Sequence, residues 1–456
     1  MKKLKKYFVS ALLLIGAMYT LTYCTKHDQI INPNAVVTPT PVVAGPGDTL
    51  FSVKTSTPPA FVTGGAAWSG PDASLWASAP KTTETVVVPD VEGDLVSFSG
   101  YIGNSNSVTM QSLYDANNIY FLIQWNQAQS NLESSPWYFN PVTHKWAAGG
   151  AAVTYDVNGI ETLRSLVSDQ FDVIFNINNS CADFASQSCY GVCHQGVPIM
   201  TVDTVTGAIT TKTTNVMHTN GPNEKLDCWR ARMYQVASAS QAIDYYLDWN
   251  GGVPSANAVH ANQSVSNGQY PPTYSSTTST NGTAGISNKQ TLTITGLATT
   301  ESVPLWVKAN DNYTNSAMVI SDTVSAALKV MAVDSLGVLT LSDGSTIDPN
   351  NGTTYQHVGT GIGNNDQNTW IPGKIIAPYT GLMGNVAANC HWTGTGWQLM
   401  LKRALKTADV LEQDVDFTSL TDQPFGIGLM FQPLGSVNAA DNQHAIKAGM
   451  LLHFNK

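Results

Sequence analysis

Charged residues are scarce in this sequence. Only 12% of its 456 residues are Asp, Glu, Lys or Arg, and the formal net charge is -10. No basic cluster follows the first few residues, so the chain lacks the positive surface that binds nucleic acid. It also lacks a G-x-S-x-G, an H-E-x-x-H and a phosphate loop, and no G-x-G-x-x-G joins a strand to a helix. These absences weigh against nucleic-acid binding, common hydrolases and nucleotide-binding folds.

The first 24 residues have the anatomy of an export signal. Four lysines precede an apolar run at residues 8–21, which is too short to span a bilayer comfortably, and Cys24 follows it. A cysteine in this place indicates a bacterial lipoprotein signal in which Cys24 is diacylated; cleavage nearby or an uncleaved anchor is the alternative. Residues 25–60 are rich in Pro and Thr and are expected to form a spacer. We expect an exported protein, lipid-anchored to the cell envelope on its periplasmic or outer-membrane face.

Residues 61–456 carry mainly the patterns of β-strands. Two β-rich runs flank the turn formers at 115–118 and predict a hairpin. Further strand patterns lie at residues 171–177, 396–403, 425–431 and 451–454. Helical patterns are thin, the best being 223–236 and 325–333. The expected fold is mainly β, an antiparallel β-sandwich with long loops and a few short helices, interrupted by a low-complexity insertion at about 262–290.

A cysteine motif lies between the predicted strands. Cys189 and Cys193 are separated by three residues and followed by His194, close to the C-x-x-C-H motif that attaches haem covalently. In that reading the two thiols bind the haem and His194 is an axial ligand of its iron. Two other readings stay open: a disulfide, which is common in exported proteins, and a zinc site that also uses Cys181.

Several other segments, taken with this motif, resemble a known family. They are 113–125 (LYDANNIYFLIQW), 135–137 (SPW), 217–232 (MHTNGPNEKLDCWRAR), 371–373 (IPG), 384–387 (GNVA), 396–397 (GW), 403–405 (RAL) and 414–417 (DVDF). Their order along the chain is similar to that of the ethylbenzene-dehydrogenase-related haem-binding domain, the cytochrome c-552 and dimethylsulfoxide-reductase-like family. That family also contains haem subunits of molybdoenzymes.

The resemblance implies a haem held between loops of a β-sandwich. It places Met217 as the distal iron ligand opposite His194, with His218 and Lys447 as rivals. Trp229 and Arg232, on a predicted helix, are expected to pack on the haem or pair with its propionates.

The remaining cysteines and the function follow from the same interpretation. Cys228 and Cys390 are expected to form a disulfide with each other or with Cys181. The sequence predicts an exported, cytochrome-like protein with one haem, c-type or non-covalent b-type, that relays single electrons between redox proteins and is not itself an enzyme. The alternative is a surface β-sandwich that binds carbohydrate or another ligand, holds no haem and uses its cysteines as structural disulfides.

Overall fold

The structure is a computed structural model, and it describes about three fifths of the chain. The described residues are 48–88, 103–127, 130, 132, 137–140, 143–147, 152–155, 161–164, 168–181, 184, 193–202, 209–219, 221–249, 251, 259–261, 286–308, 317–319, 327–350, 371, 373–376, 378–379, 381–431 and 443–456. The predicted signal and Cys24 lie outside these ranges. So does most of the predicted insertion, although its last residues include the short strand Ile286–Ser287. Among the described residues, no helix has the length and apolar character needed to cross a membrane.

Twelve strands form one continuous sheet. In chain order they are β1 Thr49–Lys54, β2 Thr82–Val87, β3 Ser105–Tyr114, β4 Asn118–Asn126, β5 Gln170–Asn176, β6 Leu226–Arg232, β7 Ile243–Leu247, β8 Val259–Ala261, β9 Ala387–Trp392, β10 Gly396–Ala404, β11 Gln423–Phe431 and β12 Gln443–Asn455. The order across the sheet is β8, β7, β6, β5, β11, β12, β1, β3, β4, β10 and β9, and β2 pairs with both β3 and β12. The pairs are antiparallel, except that β1 runs parallel to β12 and to β3.

The sheet folds back on itself, which brings strands that are far apart in its order into contact. Phe121 on β4 lies 6.2 Å from Phe175 on β5 and 5.6 Å from Trp229 on β6, measured between ring centroids. At the edge of the sheet, Ala388 of β9 donates a backbone hydrogen bond of 3.0 Å to Ser240, which lies just before β7. The two halves of the sheet thus enclose one main hydrophobic core, as in a β-sandwich.

The remaining strands form small sheets beside the main one. They are Tyr138–Asn140 with Lys145–Ala147; Ala152–Tyr155 with Glu161–Arg164; Cys193–Val202 with Ile209–Met217; Ile286–Ser287 with Lys374–Ile376 and Ala317–Val319; Gln290–Thr293 with Thr300–Val303; and Trp306–Lys308 with Ala327–Val333, Leu339–Leu341 and Thr346–Ile347. A second hydrophobic cluster packs around Trp137 and Trp146, whose indole N–H groups donate to the carbonyls of Asn288 and Gly337.

The predicted hairpin is confirmed by strands β3 and β4. Asp115 forms its turn: one carboxylate oxygen accepts hydrogen bonds of 2.7 Å from the backbone N–H groups of Asn117 and Asn118. The hydroxyl of Tyr120 donates to the other oxygen at 2.6 Å. An aspartate that satisfies its own turn in this way fixes the register of the two strands.

The mainly β class and the other strand predictions are also confirmed, but both predicted helices are wrong in whole or in part. Residues 325–333 contribute the strand Ala327–Val333, although Ala, Leu, Lys and Met are good helix formers. Residues 223–236 contain β6, and a helix begins only at Met233. Pairing with neighbouring strands overrides local propensity in both places. The described α-helices are α1 Ala73–Trp76 and α2 Met233–Ala239, and short 3-10 turns span Ile177–Asn179 and Gly381–Gly384.

Gly396, the first residue of β10, offers a test of the close contact between β10 and β4. A Cβ atom there would lie 2.2 Å from the backbone oxygen of Trp125, which a small side-chain movement does not relieve. We expect Gly396→Ala to lower the free energy of unfolding by about 1–3 kcal/mol, as overpacking does. Urea denaturation measures it. Gly221→Ala is the control, because its Cβ would approach only the Glu224 side chain at 3.4 Å; equal losses for both variants would contradict the packing argument.

Candidate functional site

The cysteine motif leads into a two-stranded hairpin of its own. Strand Cys193–Val202 pairs with strand Ile209–Met217, and the register sets Cys193 directly opposite Met217 and His194 opposite Val216. The backbone register thus pairs two of the residues that the sequence selected 24 positions apart. Cys189 lies outside the described residues.

His218 follows this hairpin and is held by a local contact. Its Nδ1 lies 2.8 Å from the carbonyl oxygen of Thr219, and the side chain is half-buried. Thr219 itself is fully buried, and its hydroxyl donates to the carbonyl of Glu224 at 3.1 Å. These bonds order the segment that leads from the hairpin into β6.

Trp229 and Arg232 are on a strand and not on the predicted helix. Trp229 is fully buried in the core, with its ring centroid 5.0 Å from that of Phe175. The Nε of Arg232 donates to the Gln170 side chain of the neighbouring strand β5 at 3.1 Å. Both residues therefore have structural partners within the main sheet.

Lys447 on β12 forms ion pairs with two carboxylates. Its ammonium lies 2.7 Å from Asp48 and 3.5 Å from Glu84. Burial raises the pKa of Glu84, and Lys447 offsets part of that rise. The position suits a role in joining β12 to the start of β1 and to β2.

The expected disulfide of Cys228 and Cys390 is wrong. Both residues are free thiols, Cys228 in the centre of β6 and Cys390 in β9. Burial raises the pKa of Cys228 well above its usual value and that of Cys390 to about 12, so both thiols are neutral at pH 7. The buried Cys228 belongs to a hydrophobic cluster, where it packs as a small apolar side chain.

A charged centre lies in the core, among segments that carried the family resemblance. The guanidinium of Arg403 on β10 donates through Nη1 to Asp227 on β6, and both side chains are fully buried. Its carbon Cζ lies 4.6 Å from the ring centroid of Trp229 and 5.1 Å from that of Phe417. Such stacking on aromatic faces stabilises a desolvated cation. Arg403 also donates to the carbonyl of Val415.

Two more carboxylates complete this centre. Asp414 lies 3.7 Å from Arg403, and Asp244 on β7 is fully buried. Burial is the main cause that raises the pKa of Asp227 and of Asp244, and it raises the pKa of Asp414 to about 6. The sequence did not single out Asp244; the available signal was a lone acidic residue in the apolar strand Ile243–Leu247.

A cavity of about 330 Å³ opens beside β9. Its walls include two half-buried indoles, Trp68 and Trp392, and the imidazole of His391. Trp392 meets the buried Trp397 edge-on at 5.4 Å, and Trp397 donates to Asp169 at 2.8 Å, which fixes this wall. The cavity has the size and aromatic lining of a small-ligand site.

The comparison with known families identifies the chain as a member of one of them. Residues 73–429 match the family Ethylbenzene dehydrogenase, so the protein belongs to the ethylbenzene dehydrogenase family. The match includes the hairpin, the charged centre and most strands of the main sheet. No curated protein matches the chain.

This membership corrects two expectations. The family is that of an oxidoreductase subunit, related to molybdenum enzymes, so the expectation of an electron-transfer protein that is not an enzyme is wrong. It is also a family of molybdenum and iron–sulfur enzymes, which overturns the expectation of haem as the cofactor.

The described residues do not fit an iron–sulfur cluster either. Such clusters are held by cysteine thiolates, typically four. Within the described part of the chain, the only group of three or more metal-ligating side chains consists of three aspartates. Cys228 and Cys390 are neutral, buried or half-buried thiols on different strands, and no cluster chemistry is assigned to them.

The buried ion pair at the charged centre is open to a direct test. Arg403→Leu leaves the buried carboxylates without their cation, so we expect the free energy of unfolding to fall by about 3–5 kcal/mol. Urea denaturation followed by tryptophan fluorescence measures the change. Lys406→Leu is the control, because its pair with Asp416 is exposed and worth roughly 0–1 kcal/mol. A loss for Arg403→Leu no larger than the control's would show that the ion pair does not support the core.

Proposed function

We propose that this protein is an exported subunit of an oxidoreductase of the ethylbenzene dehydrogenase family, and that it passes single electrons between the enzyme and other redox proteins. It is tethered to the bacterial cell envelope through lipidated Cys24. The observation that carries the proposal is the extent of the family match, which covers both halves of the main sheet and the hairpin of Cys193 and Met217.

We propose that the hairpin of Cys193 and Met217 contains the binding site of the redox group. A thiol, an imidazole and a thioether are soft or borderline donors, and such donors select transition metals. The register supports joint action of Cys193 and Met217, because it makes them direct cross-strand neighbours. Cys189 and His194 are the additional donors that we propose from the sequence. The group that we propose at the hairpin is therefore a redox-active transition-metal centre.

Metal analysis of the full-length protein, combined with a redox titration, tests this assignment. We expect one redox-active transition metal per chain, and we expect Met217→Ala and His194→Ala to reduce its content or shift its potential because each removes a donor. His218→Ala is the matched control, since His218 is the neighbour of Met217 and is engaged by Thr219. A wild-type protein without a redox metal, or a Met217→Ala variant indistinguishable from wild type, would refute the proposal.

The cavity beside β9 favours a second function, binding of a small carbohydrate. Half-buried indoles at its wall provide flat apolar faces of the kind on which sugar rings stack, while His391 adds a polar group. A volume of about 330 Å³ fits one sugar ring or a small disaccharide.

Tryptophan fluorescence during titration with glucose, galactose and maltose checks this function. We expect a saturable change in the wild type and its loss in Trp392→Ala, because that variant removes one wall of the cavity. Trp249→Ala is the control, since Trp249 is exposed and does not line the cavity. If none of the sugars alters the emission, or if both variants respond alike, the cavity is not a carbohydrate site.

A further inference from the structure

The ionisable side chains of the charged centre carry more negative than positive charge when all of them are ionised. Asp227, Asp244 and Asp414 contribute three carboxylates. Among the described residues, the ion pairs of this group are those that Arg403 makes with Asp227 and Asp414, so one cation faces three negative charges there. The side chains of Asp227 and Arg403 are 0% exposed and that of Asp414 is 3% exposed. Carrying uncompensated charge into such a place is costly unless protons or a metal ion neutralise it.

The three carboxylates converge on one point. Each offers an oxygen, and these oxygens all lie within 4.8 Å of one another. They come from separate parts of the fold: Asp227 from β6, Asp244 from the neighbouring β7, and Asp414 from the segment after β10. Asp227 directs one oxygen to Arg403 and to the backbone N–H of Val415, the latter at 3.0 Å.

Asp244 provides the second observation, which is independent of the clustering. Asp244 is 0% exposed and lies against the carboxylate of Asp227, and among the described residues no N–H or O–H group donates a hydrogen bond to either of its carboxylate oxygens. Buried polar atoms are almost always satisfied in native proteins, so acceptors left open around one point indicate that something else binds them.

An acidic cavity adjoins the carboxylate group at Asp414. A cavity of about 220 Å³ is lined by Asp414 together with Asp409, Glu412 and Asp416. The acidic lining attracts cations, while Lys406 at the same cavity is engaged by Asp416 at 2.9 Å. Asp414 thus belongs both to the carboxylate group inside and to the acidic cavity outside.

We propose that Asp227, Asp244 and Asp414 bind one calcium ion. Carboxylate oxygens are the ligands of hard cations, and a divalent ion cancels the two excess negative charges. Calcium fits better than magnesium, because it accepts flexible geometry and bidentate carboxylates, whereas magnesium requires near-ideal octahedral geometry and retains several waters. The site ties the segment 405–417 to β6 and β7, so its role is structural. It does not depend on the function proposed for the hairpin.

Calcium titration of the full-length protein tests the site. After treatment with EDTA, isothermal titration is expected to give one calcium ion per chain. Calcium at 100 times its dissociation constant is expected to shift the unfolding equilibrium roughly 100-fold toward the folded state, seen as a higher midpoint of thermal unfolding. If calcium neither binds nor stabilises the protein, the proposal is overturned, and protons on the aspartates would neutralise the excess negative charge instead.

Two variants locate the binding. Asp244→Asn removes one carboxylate ligand with little change of shape, and we expect the calcium-dependent stabilisation to disappear. Asp416→Asn is the matched control, because Asp416 lines the outer cavity without belonging to the buried group, and stabilisation is expected to persist. Unaltered calcium binding by Asp244→Asn would place the ion elsewhere and overturn the assignment.

A measurement on the wild type covers the case in which Asp244→Asn does not fold. Crystals of the wild-type protein grown with Mn²⁺, which shares the oxygen preference of calcium, are expected to show an anomalous peak between the three carboxylates. Ordered carboxylates without such a peak would overturn the proposal.

Discussion

The burial of Arg403 is the constraint on which the rest of the structure depends. A guanidinium in a hydrophobic core requires an anion within hydrogen-bond reach, and Asp227 supplies it from the opposite half of the main sheet. Trp229 and Phe417 cover the faces of the cation. The ion pair therefore holds β10 against β6 where the sheet folds back on itself. The segments that carry these residues are among those by which the family is recognised.

The charged centre gives a structural role to residues that the sequence suggested as cofactor contacts. The sequence suggested Trp229 and Arg232 as contacts of a cofactor. In the structure Trp229 covers one face of Arg403 in the core, and Arg232 donates to Gln170 of the neighbouring strand. The strands of Cys193 and Met217 pair with each other in a small sheet that is not part of the main one. The residues that we propose for redox chemistry thus lie on other strands than those that hold Arg403 in the core.

Much of the fold could be predicted from local patterns. Alternating or continuous apolar runs between turn formers predicted β3, β4, β5, β10 and β11 with errors of a few residues at the ends. The helix predicted at 223–236 was wrong in its first part, because β6 is buried on both faces and its sequence does not show the alternation of a half-buried strand. The parallel direction of β1 could not be predicted either, because it depends on pairing with β12 and β3, which are far away in the chain.

The sequence by itself determined the mainly β class, the family, and the cysteine motif with its candidate partner Met217. These depend on residue types and short spacings, which a single chain displays directly. Only the tertiary structure decided that Arg403 is paired with Asp227, that Asp244 and Asp414 join them, and that Cys228 and Cys390 are free thiols. Each of these facts is a contact between residues distant in sequence. Burial then sets the charge and pKa of each group, and burial exists only once the sheet has closed around its core.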